Sequence, residues 1–191
     1  MPGCESGSWR AMTSDEQLIL ELQQGSDGAF SELFLRYRER VWGFFRRRMN
    51  DTGQAEELAQ ETFLAVLHGA KRYEPRATFR SYLFGIAFNI LAASRRKSAH
   101  DRTHAAAAAE EMPARSGSNP ENVICIRQAV ERLEAGEREV LLLREFEELS
   151  YEEIAKILYL PVNTVKSRLF RARMALRDIL TATPGSLGGR K

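Results

Sequence analysis

The chain has 191 residues, 43% of them hydrophobic and 28% charged, with a formal net charge of +2. That is ordinary for a soluble protein of one domain or two small ones. No apolar run reaches the length of a membrane span, and the first dozen residues lack the apolar core of a secretory signal. Cys4 and Cys125 lie far apart and fit a reducing compartment better than a disulfide scaffold, with Cys125 in VICI reading as a small buried residue.

Residues 1–14 are small and polar apart from Trp9 and read as disordered, with Met12 a second candidate start. Helical periodicity begins at Asp15. A helix over 15–24 carries Leu18, Ile19 and Leu22 and is closed by Gly25. A longer one over 29–49 presents Phe30, Leu33, Phe34, Tyr37, Val41 and Phe44. Asp51 and Gln54 have capping-box spacing and open a third helix that runs to about residue 71. Its buried stripe is expected to be Ala59, Phe63, Val66, Leu67 and Ala70, with Glu57, Gln60, Glu61 and Leu64 opposite. A leucine among acids suits a protein partner better than DNA, because carboxylates repel phosphates; a solvated acidic face fits the same pattern.

The segment KRYEPRATFRS, residues 71–81, reads as a loop broken by Pro75 that mixes cations with Tyr73 and Phe79. The helix expected over 79–97 has Tyr82, Leu83, Ile86, Ala87, Ile90 and Leu91 as apolar positions and ends in Arg95, Arg96 and Lys97. Aromatics and cations followed by a basic helix end resemble surfaces that hold single-stranded nucleic acid by stacking and backbone neutralisation. Core packing of the aromatics is the competing reading. Residues 98–119, with the run Ala105 to Ala109 and the cluster MPARSGSNP, read as a flexible linker. His100 and His104 are four apart but have no third ligand nearby, so no metal site is expected.

Two further helices are expected over 120–134, ended at Gly136, and over 137–146. Ser150 and Glu153 then form a capping box for a short helix over 151–158. Pro161 breaks it and suits the first turn of a second helix over 161–180, and the pair has helix-turn-helix geometry. On the second helix Val162, Val165, Leu169, Ala172 and Leu176 form one stripe. The other side presents Asn163, Lys166, Ser167, Phe170, Arg171, Arg173 and Arg177. A surface helix has no packing reason to expose Phe170 among arginines. A helix in a DNA major groove has two reasons: apolar contact with thymine methyl groups and bidentate arginine contacts to guanine. From Ile154 onward Asp178 is the one acid set against eight lysines and arginines, a stripe suited to phosphate neutralisation. The fold class is all-α: two small helical domains, 15–97 and 120–181, joined by a linker, with a disordered tail over 182–191. Nothing reads as a nucleophile elbow, a phosphate-cradling glycine loop or a metal triad, so an enzyme is not expected.

Taken in order, these segments resemble the extracytoplasmic-function (group four) sigma factors of bacterial RNA polymerase, in the sigma-70 family. GQAEELAQETFLAVL looks like part of sigma domain two, and FRSYLFGIAFNILAASRRK looks like its promoter-melting region. EREVLLLREFEELSYEEIAKIL and LPVNTVKSRLFRARMALRDIL look like the two parts of sigma domain four. The resemblance implies that Glu57, Gln60, Glu61 and Leu64 dock on core RNA polymerase. It implies that Tyr73, Phe79, Arg80, Tyr82, Asn89, Arg95 and Arg96 capture an unpaired base of the −10 element. It places Lys166, Ser167, Phe170 and Arg171 at base-contacting positions for the −35 element, with Thr164, Arg168 and Arg173 on the backbone and Asn163 able to add a bond of its own. It implies a cytoplasmic protein, monomeric when free, with promoter DNA and an anti-sigma factor as further partners and no cofactor. Gly85 and Phe88 stand where many relatives carry arginines, and Tyr159 and Asn163 stand where glycine is common. A stand-alone helix-turn-helix regulator is the alternative, although no dimerisation heptads are present.

Overall fold

The structure is a computed structural model that describes residues 13–104 and 120–182. The expectations for the N-terminal segment, most of the linker, the Cys125 side chain and the C-terminal tail lie outside the described residues and side chains. Among the described residues all regular structure is helical. The chain divides into two compact units, Met1–Met112 and Pro113–Lys191.

The first unit contains α1 (Asp15–Gln23), α2 (Asp27–Arg46), α3 (Thr52–Gly69), a short 3-10 turn (Ala70–Arg72) and α4 (Phe79–His104). The helix starts are set by side chains that bond otherwise unpaired N–H groups. At α1 the Gln17 N–H donates to Ser14 Oγ at 3.2 Å, and the Ser14 N–H donates to Gln17 Oε1 at 3.1 Å, a full capping box. Gly25, at φ +93°, turns the chain, and Ser26 caps α2, which therefore begins two residues earlier than periodicity alone suggests. The box expected at α3 is only half made. Asp51 Oδ1 accepts from the Gln54 N–H at 3.2 Å, but the Gln54 amide reaches across to Ser94 Oγ at 3.3 Å.

The core of this unit is aromatic: Phe44, Phe45, Phe79 and Phe84 are fully buried, with Ile19, Leu33, Leu83 and Leu91 around them. The expected stripe of α3 needs one correction. Leu67 is 39% exposed, and Leu58 and Thr62 are buried alongside Ala59, Phe63 and Val66. Thr62 tolerates burial because its hydroxyl donates to the Leu58 carbonyl at 2.8 Å. A second correction concerns α4, which continues through residues expected to be linker. Arg95, Arg96 and Lys97 thus lie along the helix rather than at its end.

The second unit contains α5 (Pro120–Glu131), α6 (Ala135–Glu145), α7 (Tyr151–Leu158) and α8 (Val162–Ala182). Gly136 lies in the first turn of α6 and does not terminate α5. The α5 end is closed instead by Arg138, which donates to the carbonyls of Glu131 at 2.6 Å and Leu133 at 3.0 Å. The capping box of α7 is complete: the Ser150 N–H donates to Glu153 Oε2 at 2.8 Å, and the Glu153 N–H donates to Ser150 Oγ at 3.1 Å. Tyr159 takes the left-handed conformation, φ 54° and ψ 46°, which lets the Leu160 N–H bond the Ala155 carbonyl at 2.9 Å. Val165, Leu169 and Ala172 of α8 are buried with Leu142, Leu143, Leu149 and Ile154.

Tyr159 is 85% exposed, so its ring offsets little of the cost of a left-handed backbone. Tyr159→Gly is expected to stabilise the second unit by about 1 kcal/mol, less whatever the freer unfolded glycine gives back. Urea unfolding followed by helical signal measures it. An unchanged or lower midpoint would show that the tyrosine is held by contacts elsewhere.

Candidate polymerase and nucleic-acid interfaces

Three surfaces gather the polar and aromatic groups that the core leaves outside. On α3, Glu57, Gln60, Glu61 and Leu64 recur at helical spacing and all are exposed, Leu64 to 55%. No hydrogen bond or ion pair among the described residues engages the two carboxylates. Leu67 continues the stripe by three residues, so its exposure enlarges the face. The opposite side of α3 fixes the orientation, with Phe63 packed edge-on against Phe34 at 4.9 Å between ring centroids.

The second surface is the loop before α4 and the outer face of α4. Its ends are held by α1. The Gln23 amide donates to the carbonyls of Ala70 at 2.9 Å and Tyr73 at 2.7 Å. Glu16 Oε1 accepts from the Phe79 N–H at 3.1 Å. The Tyr73 hydroxyl closes the loop on itself by donating to the Ala77 carbonyl at 2.9 Å. This geometry corrects two residues of the expected −10 set. Phe79 is fully buried against Tyr37, centroids 5.4 Å apart, and Tyr73 is 5% exposed against Tyr82 at 5.0 Å. Neither ring offers a face for a base; both form the floor on which the loop sits. Burial raises the hydroxyls of Tyr73 and Tyr82 above the ordinary tyrosine range.

The remaining residues of the set are accessible. Tyr82 is half-buried, its hydroxyl lying over Gly69, where an added Cβ would come within 2.6 Å of it. Asn89 and Arg96 are exposed and follow Tyr82 at intervals of seven, which places all three on one face of α4 with Gly85 between. Arg95 is exposed and turns toward α2, donating to the Arg48 carbonyl at 3.4 Å. Arg80 is half-buried beside the Tyr37 hydroxyl. That hydroxyl donates to Asp15, which Arg36 also holds at 2.9 Å. Burial first, and then the Asp15 hydrogen bond, push Tyr37 up to about 12. Residues Glu16, Gln23 and Asp15 escape sequence reasoning, because a polar side chain whose partner, backbone or side chain, lies 21 or more positions away leaves no periodic signal.

The third surface is α8. Asn163, Lys166, Ser167, Phe170, Arg171 and Arg173 are exposed, Phe170 to 66%. Thr164 and Arg168 are half-buried, and the Ser167 hydroxyl donates to the Thr164 carbonyl at 3.0 Å. Arg171 Nε donates to Glu137 Oε1 at 2.8 Å, Arg173 Nη2 to Glu145 Oε1 at 2.7 Å, and Arg177 pairs with Asp178 at 2.8 Å. The Arg168 guanidinium lies over Gly136, where an added Cβ would come within 2.9 Å of Nη1. Lys166 has no partner among the described residues. The face thus combines a cation, hydroxyl and amide donors and acceptors, and an apolar ring on one helix, the elements of major-groove reading. Among the described residues no group of three His, Cys, Asp or Glu is placed to hold a metal.

Comparison with known proteins gives concordant matches. Residues 33–100 match the family described as Sigma-70 region 2, and residues 124–176 match Sigma-70, region 4. The RNA polymerase sigma-H factor of Pseudomonas aeruginosa is 34% identical over 182 residues, covering 87% of this chain and 93% of that protein. The ECF RNA polymerase sigma-E factor of Escherichia coli K12 is 34% identical over 179 residues, covering 85% and 92%. Among solved structures, the sigma factor RpoE in complex with the anti-sigma factor NepR from Bartonella quintana aligns with a TM-score of 0.71 at 24% identity, covering 80% of this chain and 96% of that one. CnrH in complex with the cytosolic domain of CnrY aligns with a TM-score of 0.66 at 24% identity, covering 89% and 99%. These two likenesses bear on the fold.

Gln23→Ala removes two hydrogen bonds from the loop anchor, each worth about 1 kcal/mol. Amide exchange over residues 73–78 is expected to speed up by about tenfold or more, with α2 and α3 unaffected. Unchanged exchange in the loop would show that its own packing suffices to hold it.

Proposed function

The chain belongs to the extracytoplasmic-function sigma factors of bacterial RNA polymerase, within the sigma-70 family, and from that premise we propose which surface carries each part of the work. As an alternative sigma factor it binds core RNA polymerase, recognises the −35 and −10 promoter elements and helps melt the promoter. One observation supports the division of labour above the others. The exposed faces of the two matched regions carry opposite chemistry, acid with leucine on α3 and cation with aromatic on α8.

Residues 15–97 act as sigma domain two. Glu57, Gln60, Glu61 and Leu64 dock on core polymerase, and Leu67 widens that contact. Carboxylates without internal partners lose none when a basic partner arrives. Tyr82, Asn89 and Arg96 face the melted −10 strand, flanked by Arg80 and Arg95, while Tyr73 and Phe79 shape the loop from beneath. Extruding a base costs a few kcal/mol, and a preformed loop spares the further cost of ordering itself. Gly85 contributes no side chain to this face, so fewer cations neutralise the strand there.

Residues 120–181 act as sigma domain four. Lys166, Ser167, Phe170, Arg171 and Asn163 meet base edges of the −35 element, and Thr164, Arg168 and Arg173 meet phosphates. Residues 98–119 supply the reach between the two domains. The protein performs no chemistry of its own and uses no cofactor. It works in the cytoplasm, where its polymerase partner acts. When free of polymerase it is a monomer held in check by an anti-sigma factor, the kind of partner seen with the Bartonella quintana neighbour.

Equilibrium binding of the labelled full chain to purified core polymerase tests the docking face. Glu61→Arg is expected to weaken binding by tenfold or more with helical content unchanged; equal binding would move the interface off α3. On a −35 duplex, Arg171→Ala is expected to cost about 1–3 kcal/mol at the cognate sequence and little on a scrambled one. Equal loss on both would show that Arg171 touches phosphate alone.

A further inference from the structure

Among the described cations of α8, Arg171 differs in its anchor. Its partner Glu137 is nearly buried, with a side chain 11% exposed, while the Arg171 side chain is 56% exposed. The pairs made by Arg173 with Glu145 and by Arg177 with Asp178 are exposed on both sides. Burying a carboxylate is unfavourable unless it is paired, and a partner half in water returns little stability. The pair is therefore poorly explained as a prop of the fold. It does fix a direction. Arginine is a planar fork of five N–H donors. The bond to Glu137 uses Nε, at 2.8 Å, and the two terminal nitrogens have no partner among the described residues. The terminal pair is the edge that meets guanine O6 and N7 end-on in a major groove.

The location of Glu137 supports the same reading. It sits in the first turn of α6, where helix N–H groups favour a carboxylate. The adjacent Gly136 lies beneath the Arg168 guanidinium, so the first turn of α6 supports two arginines of α8 one helical turn apart. Removing a side chain at residue 136 lets Arg168 lie flat there; the carboxylate at residue 137 holds Arg171 at a set angle.

We infer that Glu137 is a positioning residue for −35 recognition: it holds Arg171 by Nε so that the terminal nitrogens are presented to a guanine edge before DNA arrives. The inference rests on the sigma reading and extends it by naming a specificity determinant that need not touch DNA. An arginine fixed in advance loses less side-chain freedom on binding and reaches fewer alternative acceptors. Selectivity therefore depends on the anchor as well as on the arginine.

The test uses holoenzyme reconstituted from the full chain and purified core polymerase, with promoter duplexes randomised across the −35 element. The wild type is expected to enrich a G·C pair at one position, and Arg171→Ala to lose that preference. Glu137→Ala is expected to lose about fivefold or more of the preference at that position and only there. Binding to scrambled duplex should not fall, since a negative charge has been removed near phosphate. Glu137→Gln keeps an acceptor oxygen and should restore most of the preference, and Glu137→Ala with Arg171→Ala should be no worse than Arg171→Ala alone. Retained preference in Glu137→Ala would overturn the inference. So would an equal loss at every −35 position, or tighter cognate binding with the preference intact, which would make the pair a mask. A preference untouched by Arg171→Ala would overturn it as well. Absence of any −35 preference in the wild-type holoenzyme would instead overturn the sigma reading itself.

Discussion

Burial of one apolar stripe per helix is the constraint from which the rest follows. In the second unit α8 gives Val165, Leu169 and Ala172 to the core, and each large apolar side chain buried contributes roughly 1.5–3 kcal/mol. Once that stripe is committed, helical geometry dictates which residues remain outside, and Lys166, Phe170 and Arg173 have no choice of face. The same logic on α3 buries Ala55, Ala59, Phe63 and Val66 and turns Glu57, Gln60, Glu61 and Leu64 outward. Neither interface needs a specialised scaffold. Each is the remainder of a helix whose other side stabilises the fold.

The two remainders differ in how far they are satisfied before a partner arrives. The acids of α3 have no internal partners among the described residues, so docking a basic surface there breaks nothing. The arginines of α8 are engaged: Arg171 by Glu137, Arg173 by Glu145 and Arg177 by Asp178. Exposed pairs of this kind are weak and salt-screened, so phosphates compete for Arg173 and Arg177 at little cost. The −10 loop is arranged differently again. Gln23 and Glu16 hold its two ends to α1 through backbone groups, and the Tyr73 hydroxyl closes it from within on the Ala77 carbonyl. Part of the order in the loop is therefore supplied by a helix that need never touch nucleic acid.

Periodicity and capping made much of this legible in the sequence. The helix-turn-helix and the outward faces of α3 and α8 follow from spacings of three and four and from the Ser150–Glu153 box, whereas the turn at Tyr159 is marked only by the family resemblance, which puts glycine there, and the structure finds it left-handed. The errors have physical causes. Gly136 reads as a terminator because glycine often ends helices, yet here it makes room for Arg168. Leu67 reads as core because it is leucine, but its angular position carries it past the edge of the buried stripe. Tyr73 and Phe79 enter the −10 set through the family resemblance, while their residues alone leave core packing open; the structure packs them on Tyr82 and Tyr37, tertiary neighbours that no local pattern names. The anchors Glu16, Gln23 and Glu137 are single polar residues whose partners lie 34 to 63 positions away, beyond any local signal.

The most direct measurement is run-off transcription with purified core polymerase from a promoter upstream of the protein's own operon, with and without the full chain. The account predicts a transcript that requires the protein and starts at one position downstream of paired −35 and −10 elements. Failure of the folded protein to bind core polymerase in the same samples, with no transcript, would contradict it and leave a stand-alone DNA-binding regulator in its place.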